Sequence, residues 1–301
     1  MNTPSTGRRS FFKYAAPETA LAVLRNKTLR YSSPLTFNDP FDVQSGLHFD
    51  FDVDTLHSKL LDRLDELARA VDEPVVDESD PWGQVVRLVR KNYPTHGFPR
   101  ADLESMMAPL FVELVNVIRT TQQEYQKAWW RTLLPGVRVF CVSEERDNLL
   151  MWAHYAKDHT GVVFEFLSLP EEDNPLSVAE PVIYVEEAPP FFTLSEWIDD
   201  LTAIRKLNPD ELYKRYVYFK SKHWEYEREW RVWYPLIPAP ATLFHDSPMR
   251  ASEFASVYIG CRAAPAFTVE VISLTRSSFP NTRLFIAHKS ETSYALDYEG
   301  I

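Results

Sequence analysis

Residues 137–166 read VRVFCVSEERDNLLMWAHYAKDHTGVVFEF, and this stretch decides the fold class. VRVFCVS is a β-rich run, and the charged residues 144–147 break it. Asp147 stands where an N-cap belongs for a helix LLMWAHYAKDH, Gly161 stops that helix, and GVVFEF returns as a strand. Outward in both directions, strands and helices continue without the regular alternation of a doubly wound sheet. That irregularity predicts an α+β fold.

Toward the N-terminus, SFFKYAA (10–16) predicts a strand, Pro17-Glu18 opens a short helix through Leu21, Leu24 and Arg25, and Thr28 to Ser33 predicts a second strand. SPLTFNDPFD (33–42) carries two prolines and an Asn-Asp pair, which demand a structured turn. Toward the C-terminus come a strand near 181–185, helices near 194–206 and 209–220, and a strand from Glu227 to Tyr234. A strand over 254–260, a helix over 265–277, and strands over 283–288 and 293–298 complete the reading.

Between 52 and 133 the period changes. Leu56, Leu60, Leu64, Leu67, Ala68 and Val71 fall on one helical stripe, and further helices follow at 81–92 and 101–132. Pro74, the run Asp77 to Asp80, and Asn92 to Pro99 separate them. The expectation is a mixed core domain from 1–51 and 134–301, interrupted by an all-helical insertion or lid at 52–133.

Composition bounds the function. The 301 residues carry 32 Lys+Arg against 43 Asp+Glu, a net charge of −11, which disfavours an extended nonspecific nucleic-acid surface. Glycines at 7, 46, 83, 97, 136, 161, 260 and 300 lie too far apart for G-x-G-x-x-G, a Walker A loop or a G-x-S-x-G elbow. Cys141 and Cys261 sit in or beside apolar runs, as two thiols in a reducing cytoplasm would. Arg8-Arg9-Ser10-Phe11-Phe12-Lys13 looks like a twin-arginine signal, but Glu18 and Arg25 interrupt the apolar segment that export needs. No stretch reaches the roughly 18 apolar residues of a membrane span.

Three clusters carry candidate chemistry. In HWEYEREWR (223–231), a strand would place Glu227, Glu229 and Arg231 on one face. The paired carboxylates would raise each other's pKa, while Arg231 and Lys220 or Lys222 would hold one ionised. An exposed salt-bridge ladder would have the same sequence. The second cluster gathers Ser143, Asn148, His154, Tyr155 and His159 around one strand-helix-strand unit. His154 and His159 are five apart, a poor spacing for a metal, and core packing or an internal hydrogen bond would also explain them. The third is the turn with Asn38, Asp39 and Phe41, where turn formation alone accounts for the residues and a pocket lining is the alternative.

The motifs FKY (12–14), RYSSPLTFNDPFD (30–42), LMW-x-HY (150–155) and W-x-YE-x-E-x-R (224–231), with YIG (258–260) and RLFIAHKSETSYALDY (283–298), resemble a bacterial family known as a domain of unknown function. More remotely, an early strand and helix, a Ser-bearing second strand, an aromatic-rich middle and a late E-x-E strand resemble the plan of ADP-ribosyltransferases. That resemblance implies a split, antiparallel-rich sheet with flanking helices and NAD as cofactor. It implies Glu229, Glu227, His154 and Tyr155 as the catalytic set, one Glu holding a ribose hydroxyl and Tyr155 stacking on nicotinamide. Lys13, Tyr14, Ser32, Ser33, Asn38, Asp39, Phe41 and Arg231 would bind the cofactor. Lys13-Tyr14 departs from the His or Arg usual on the first strand.

Three functions stay open: an ADP-ribosyltransferase acting on a macromolecule or small molecule, as a toxin or phage-defence effector; a non-catalytic nucleotide-binding regulatory domain; and a metal-dependent nuclease or phosphodiesterase using Asp39, Glu227, Glu229 and His154. In the first, Glu229 is expected to matter more to activity than to folding.

Overall fold

One strand with a single neighbour along one edge and two neighbours on the other organises the sheet. It appears in a computed structural model that describes residues 8–72, 75–77, 79–92, 99–236 and 238–301. This strand is β3 (Val137–Ser143), which follows β1 (Ser10–Ala15) and β2 (Thr28–Ser32) in the chain. Antiparallel β8 (Glu229–Pro235) pairs with β3 over its full length, from Val137↔Pro235 to Ser143↔Glu229. On the other edge Ser143 meets Phe12 of β1, while Val139 meets Ser32 of β2. The sheet therefore splits between β1 and β2.

Each branch extends by further pairing. β1 continues to β4 (Val162–Leu167), β10 (Phe254–Ile259), β11 (Arg283–Lys289) and β12 (Leu296–Gly300). β2 continues to β9 (Phe244–Pro248), and β5 (Glu180–Pro181) lies along β8. β10 with β11 is parallel, and the other pairings of this ten-stranded sheet are antiparallel. The class is α+β. The expected strand near 181–185 is in fact two short pieces, because β6 (Ile183–Val185) leaves the large sheet to pair with β7 (Phe219–Ser221).

Strand alternation sorts the core onto two faces. Phe11, Phe164, Phe166, Phe254, Val257 and Ile259 pack with Ala20 and Leu24 of α1 (Pro17–Asn26) and with Val271 and Phe279 at α9 (Pro265–Ser278). Tyr14, Val163 and Tyr258 instead pack with Met151, Trp152 and Ala156. The backbone crosses closely at Gly161, where a Cβ would stand 2.1 Å from the Ala15 carbonyl oxygen. Backbone on both sides leaves no room to yield. Gly161→Ala should lower stability by about 1–3 kcal/mol or more, as overpacking does, and urea unfolding monitored by circular dichroism would measure it.

The chain divides into two compact units: residues 1–44, 132–187 and 218–301, which carry the sheet, and residues 45–131 with 188–217. Between 52 and 133 the described residues form helices and turns without a strand. α2 (Val53–Arg69) is capped by the Asp52 carboxylate, which accepts the Thr55 N–H at 2.7 Å. Leu56, Leu60, Leu64, Leu67 and Ala68 are buried as the stripe requires, but Val71 lies past the C-cap Ala70 and is exposed. α3 (Pro81–Asn92) and α4 (Arg100–Ala128) follow, and a π-helical turn (Trp129–Leu133) continues α4. Of the expected separators, Pro74 and residues 93–98 lie outside the described residues. α7 (Leu194–Leu201) and most of α8 (Pro209–Tyr218) belong to this second unit, so two chain segments build it. α7 stops at Leu201, short of 206, and Ala203 behind it takes φ +57°.

Candidate functional site

The local fold of 219–231 differs from a continuous strand. Ser221 closes β7 and its hydroxyl accepts the His223 N–H, so Lys222–Glu227 winds into 3-10 turns. Arg228 then takes φ +43° and ψ +52°, and β8 begins at Glu229. Glu227 therefore sits on a turn and Glu229 on a strand, and period-two alternation does not relate them. Their carboxylates meet because both reach the ammonium of Lys220.

That ammonium stands 2.5 Å from Glu227 Oε2, 2.9 Å from Glu229 Oε2 and 3.4 Å from Asp42 Oδ2. Arg231 donates through Nε to Glu229 Oε1 at 2.8 Å, and through Nη2 to Asp42 Oδ2 at 2.6 Å and Glu229 Oε2 at 3.0 Å. All five side chains are buried. Tyr155 donates its hydroxyl to Glu227 Oε1, and the Glu229 N–H donates to the Tyr184 hydroxyl at 2.8 Å.

Tyr155 reaches the cluster from the end of a helix shorter than LLMWAHYAKDH. Its N-cap is Asn148, whose Oδ1 accepts the N–H groups of Leu150 and Met151; Asp147 instead pairs with Arg146. The Asn148 amide also donates to the Tyr226 carbonyl at 2.6 Å, tying the helix start to the 3-10 segment. α6 covers only Leu149–His154, and Lys157, Asp158 and His159 all take left-handed φ values near the glycine that follows at 161. His159 consequently stacks on Trp152 and does not continue the helix face of Tyr155.

Three carboxylates face two permanent cations, and burial decides which acid yields. Burial raises the Glu227 pKa, and the nearby Glu229 charge adds to this, although Lys220 opposes both. Burial acts the same way on Glu229, but Arg231 and Lys220 outweigh it and hold that carboxyl far below the usual range. Burial would lower the Lys220 pKa, yet Glu229, Asp42 and Glu227 drive it upward. Burial and the adjacent Glu227 raise the Tyr155 phenol. Of the two glutamates, Glu227 is thus the one whose pKa is shifted upward.

Linkage gives a testable sign. A folded-state pKa raised at Glu227 means the folded protein binds more protons, so this group's contribution to stability falls as pH rises from the ordinary glutamate pKa through the folded one. Glu229 has the opposite sign, its contribution being lost as pH falls below the ordinary glutamate pKa. Glu227→Gln should therefore gain stability relative to wild type as pH rises across that upper window. Unfolding free energies measured at a series of pH values would show a constant difference if Glu227 were not shifted.

The cluster lines one end of a cleft of about 450 Å³ located at the split of the sheet. Phe12, Lys13 and Tyr14 line it from β1, Arg30 and Ser32 from β2, and Cys141 and Ser143 from β3. Lys13 Nζ donates to the Cys141 carbonyl at 2.7 Å, supplying a bond at a residue between the two points where β1 and β2 meet β3. Phe37, Asn38, His154, Tyr155, Lys220, Glu227 and Glu229 also line the cleft. Its volume is in the range of small-molecule sites.

Of the twelve site residues that the ADP-ribosyltransferase resemblance implies, Lys13, Tyr14, Ser32, Asn38, His154, Tyr155, Glu227 and Glu229 line this cleft. Four others do not. Ser33 is buried and donates to the Leu134 carbonyl at 2.6 Å; Asp39 accepts the Phe41 N–H at 2.9 Å as a turn former; the Phe41 side chain is exposed; and Arg231 stands behind Glu229 as its counter-ion. The sequence reading gives no role to Asp42 or Arg30; it takes Phe37 as an apolar anchor of the FNDPF turn and Cys141 as a thiol in an apolar strand, and both line the cleft. Asp42 closes FNDPFD, but no local pattern sets it apart from Asp39. Burial pushes the Cys141 thiol pKa well up, against a thiolate nucleophile.

Residues 151–232 match the profile of a family described as "Protein of unknown function (DUF2971)". The matched segment carries His154, Tyr155, Lys220, Glu227, Glu229 and Arg231, while the β1 and β2 walls lie outside it. No curated protein and no solved structure gave a match. No helix among the described residues is long and apolar enough to cross a membrane.

Proposed function

We propose that the cleft binds NAD and transfers its ADP-ribose to an acceptor. The observation that carries this reading is the split of the sheet between β1 and β2, with an excess carboxylate, Glu227, at its floor. Asp42, Glu227 and Glu229 outnumber Lys220 and Arg231 by one charge when all are ionised. A cationic guest balances that extra negative charge. The nicotinamide ring of NAD is such a cation, and so is the oxocarbenium-like ribose formed as nicotinamide leaves.

In this reading the bond between ribose C1′ and the nicotinamide nitrogen breaks, and its electron pair leaves with neutral nicotinamide. Glu227 accepts a ribose hydroxyl hydrogen bond and stabilises the cation, Tyr155 orients Glu227, and the acceptor adds at C1′ and releases a proton. Tyr155 and Phe37 offer aromatic surface to nicotinamide. Lys13 supplies positive charge for the diphosphate, with Ser32 and Asn38 as neutral partners; Arg30, also on the lining, is paired with Asp246 through two hydrogen bonds. The metal-dependent reading is less favoured because the Lys220 ammonium already occupies the point where the three carboxylates converge.

Incubating the protein with NAD labelled in the nicotinamide ring tests the proposal. Nicotinamide release, with ADP-ribose appearing on an acceptor or on water, is the expected result. NAD-dependent thermal stabilisation without release would favour the regulatory, nucleotide-binding reading, and neither response would remove NAD from the account.

A further inference from the structure

The helical unit holds a second cavity of about 450 Å³, bounded by residues of α3, α4 and α7 and the segment after α7. One wall is apolar: Val85, Leu110, Leu114, Val117 and Ile118 lie on it at helical spacing along α3 and α4. Aromatic rings of Trp82, Tyr125 and Trp197 complete the lining. Leu110 and Val117 are exposed, so the cavity opens to solvent through apolar side chains.

The polar end of the cavity is acidic. Lys206 pairs with Asp80 and lies 3.8 Å from Asp200, and Asp77 adds to the field that raises the Lys206 pKa against the effect of burial. Asp200 also acts on Tyr125, whose phenol burial and this carboxylate both push upward. Asp80 and Asp200 thus share one ammonium on the lining, and with Glu113 the lining's three acids outnumber its one cation, Lys206, by two charges when all are ionised. An apolar chamber with aromatic faces and net negative charge at one end complements one ligand type: a monocation with a hydrophobic body.

We propose that this cavity is a binding site for a hydrophobic monocation, whose apolar body lies along Leu110, Leu114 and Ile118 and whose cation rests near Asp80 and Asp200 against the aromatic rings. The site lies wholly within the helical unit and does not depend on the NAD reading.

Isothermal titration of the full chain with decyltrimethylammonium, below its micelle concentration, tests this, with decanoate as the anionic counterpart of equal chain length. Saturable binding of the cation, with decanoate at least about tenfold weaker, is the expected result. Leu110→Trp, which fills the chamber from a partly exposed position on its lining, should abolish binding without changing the melting temperature. Val117→Phe repeats the test on the same wall should the first variant unfold. Asp200→Asn, whose amide oxygen still accepts the Leu207 N–H that the carboxylate accepts at 3.1 Å, should narrow the preference for cation over anion. Absence of saturable heat, equal or tighter binding of decanoate, or undiminished binding by a folded cavity-filling variant would each overturn the proposal.

Discussion

Glu227→Gln should reduce nicotinamide release from NAD by about 10²–10³-fold while the melting temperature stays close to that of the wild type. The two halves of this expectation have one cause. With glutamine at 227 the buried cluster retains two cations, Lys220 and Arg231, and two carboxylates, Asp42 and Glu229, which is a balanced set. Burial raises the Glu227 pKa, so a neutral side chain is less costly at this position than at an exposed one. Glutamine supplies that neutral side chain but cannot carry the negative charge that a forming cation requires. The glutamine oxygen can keep the Lys220 ammonium as its donor while the amide donates to the Tyr155 hydroxyl oxygen. Single-turnover nicotinamide release set beside a melting curve would measure both effects, and release at the wild-type rate would remove Glu227 from the reaction.

Arg231→Met should cost about 3–5 kcal/mol of folding stability, the scale seen when one partner of a buried ion pair is removed. Arg231 is fully buried and touches both Glu229 and Asp42; without it these carboxylates share only Lys220. The buried site then holds two surplus negative charges if Glu227 is ionised, and one if it is protonated. Chemical unfolding at neutral pH should show the loss, and part of it should be recovered at acidic pH, where carboxylates take up protons. A change within about 0.5 kcal/mol, the usual scale for surface substitutions, would mean that water reaches the cluster.

The same geometry alters the expectation for Glu229. From the sequence it reads as the carboxylate that matters more to activity than to folding. In the fold it is clamped from two sides by Arg231 and Lys220 and ionised well below the usual range. Such a group anchors its neighbours, and Glu229→Gln should lower the melting temperature where Glu227→Gln does not. The glutamate whose pKa is shifted upward is the one on the turn, which the strand reading placed on the same face.

Much of the architecture was legible from local pattern. The run VRVFCVS, the apolar alternation of GVVFEF, Pro17 opening a helix and the leucine stripe from Leu56 to Leu67 each reflect rules that act within a few residues. The missed boundaries were also local, but they depended on which of two adjacent residues won a competition. Asn148 takes the cap because its amide can serve both the helix and the Tyr226 carbonyl, and Asp147 is left to Arg146. Arg228 in a left-handed conformation shortened a strand that alternation alone would have begun at Glu227.

By itself, then, the sequence determined most element types, the α+β class, the helical character of the described residues between 52 and 133, and eight of the nineteen residues that line the cleft. Only the tertiary structure decided that β1 and β2 would part along one edge of β3, that Asp42 would meet Arg231 across 189 residues of chain, and that Lys220 would stand among three carboxylates. The physical reason is one of range. Periodicity and capping are set by neighbours along the chain, whereas the ionisation of a buried carboxylate is set by whatever charges folding places within a few ångströms and by how much water is left between them.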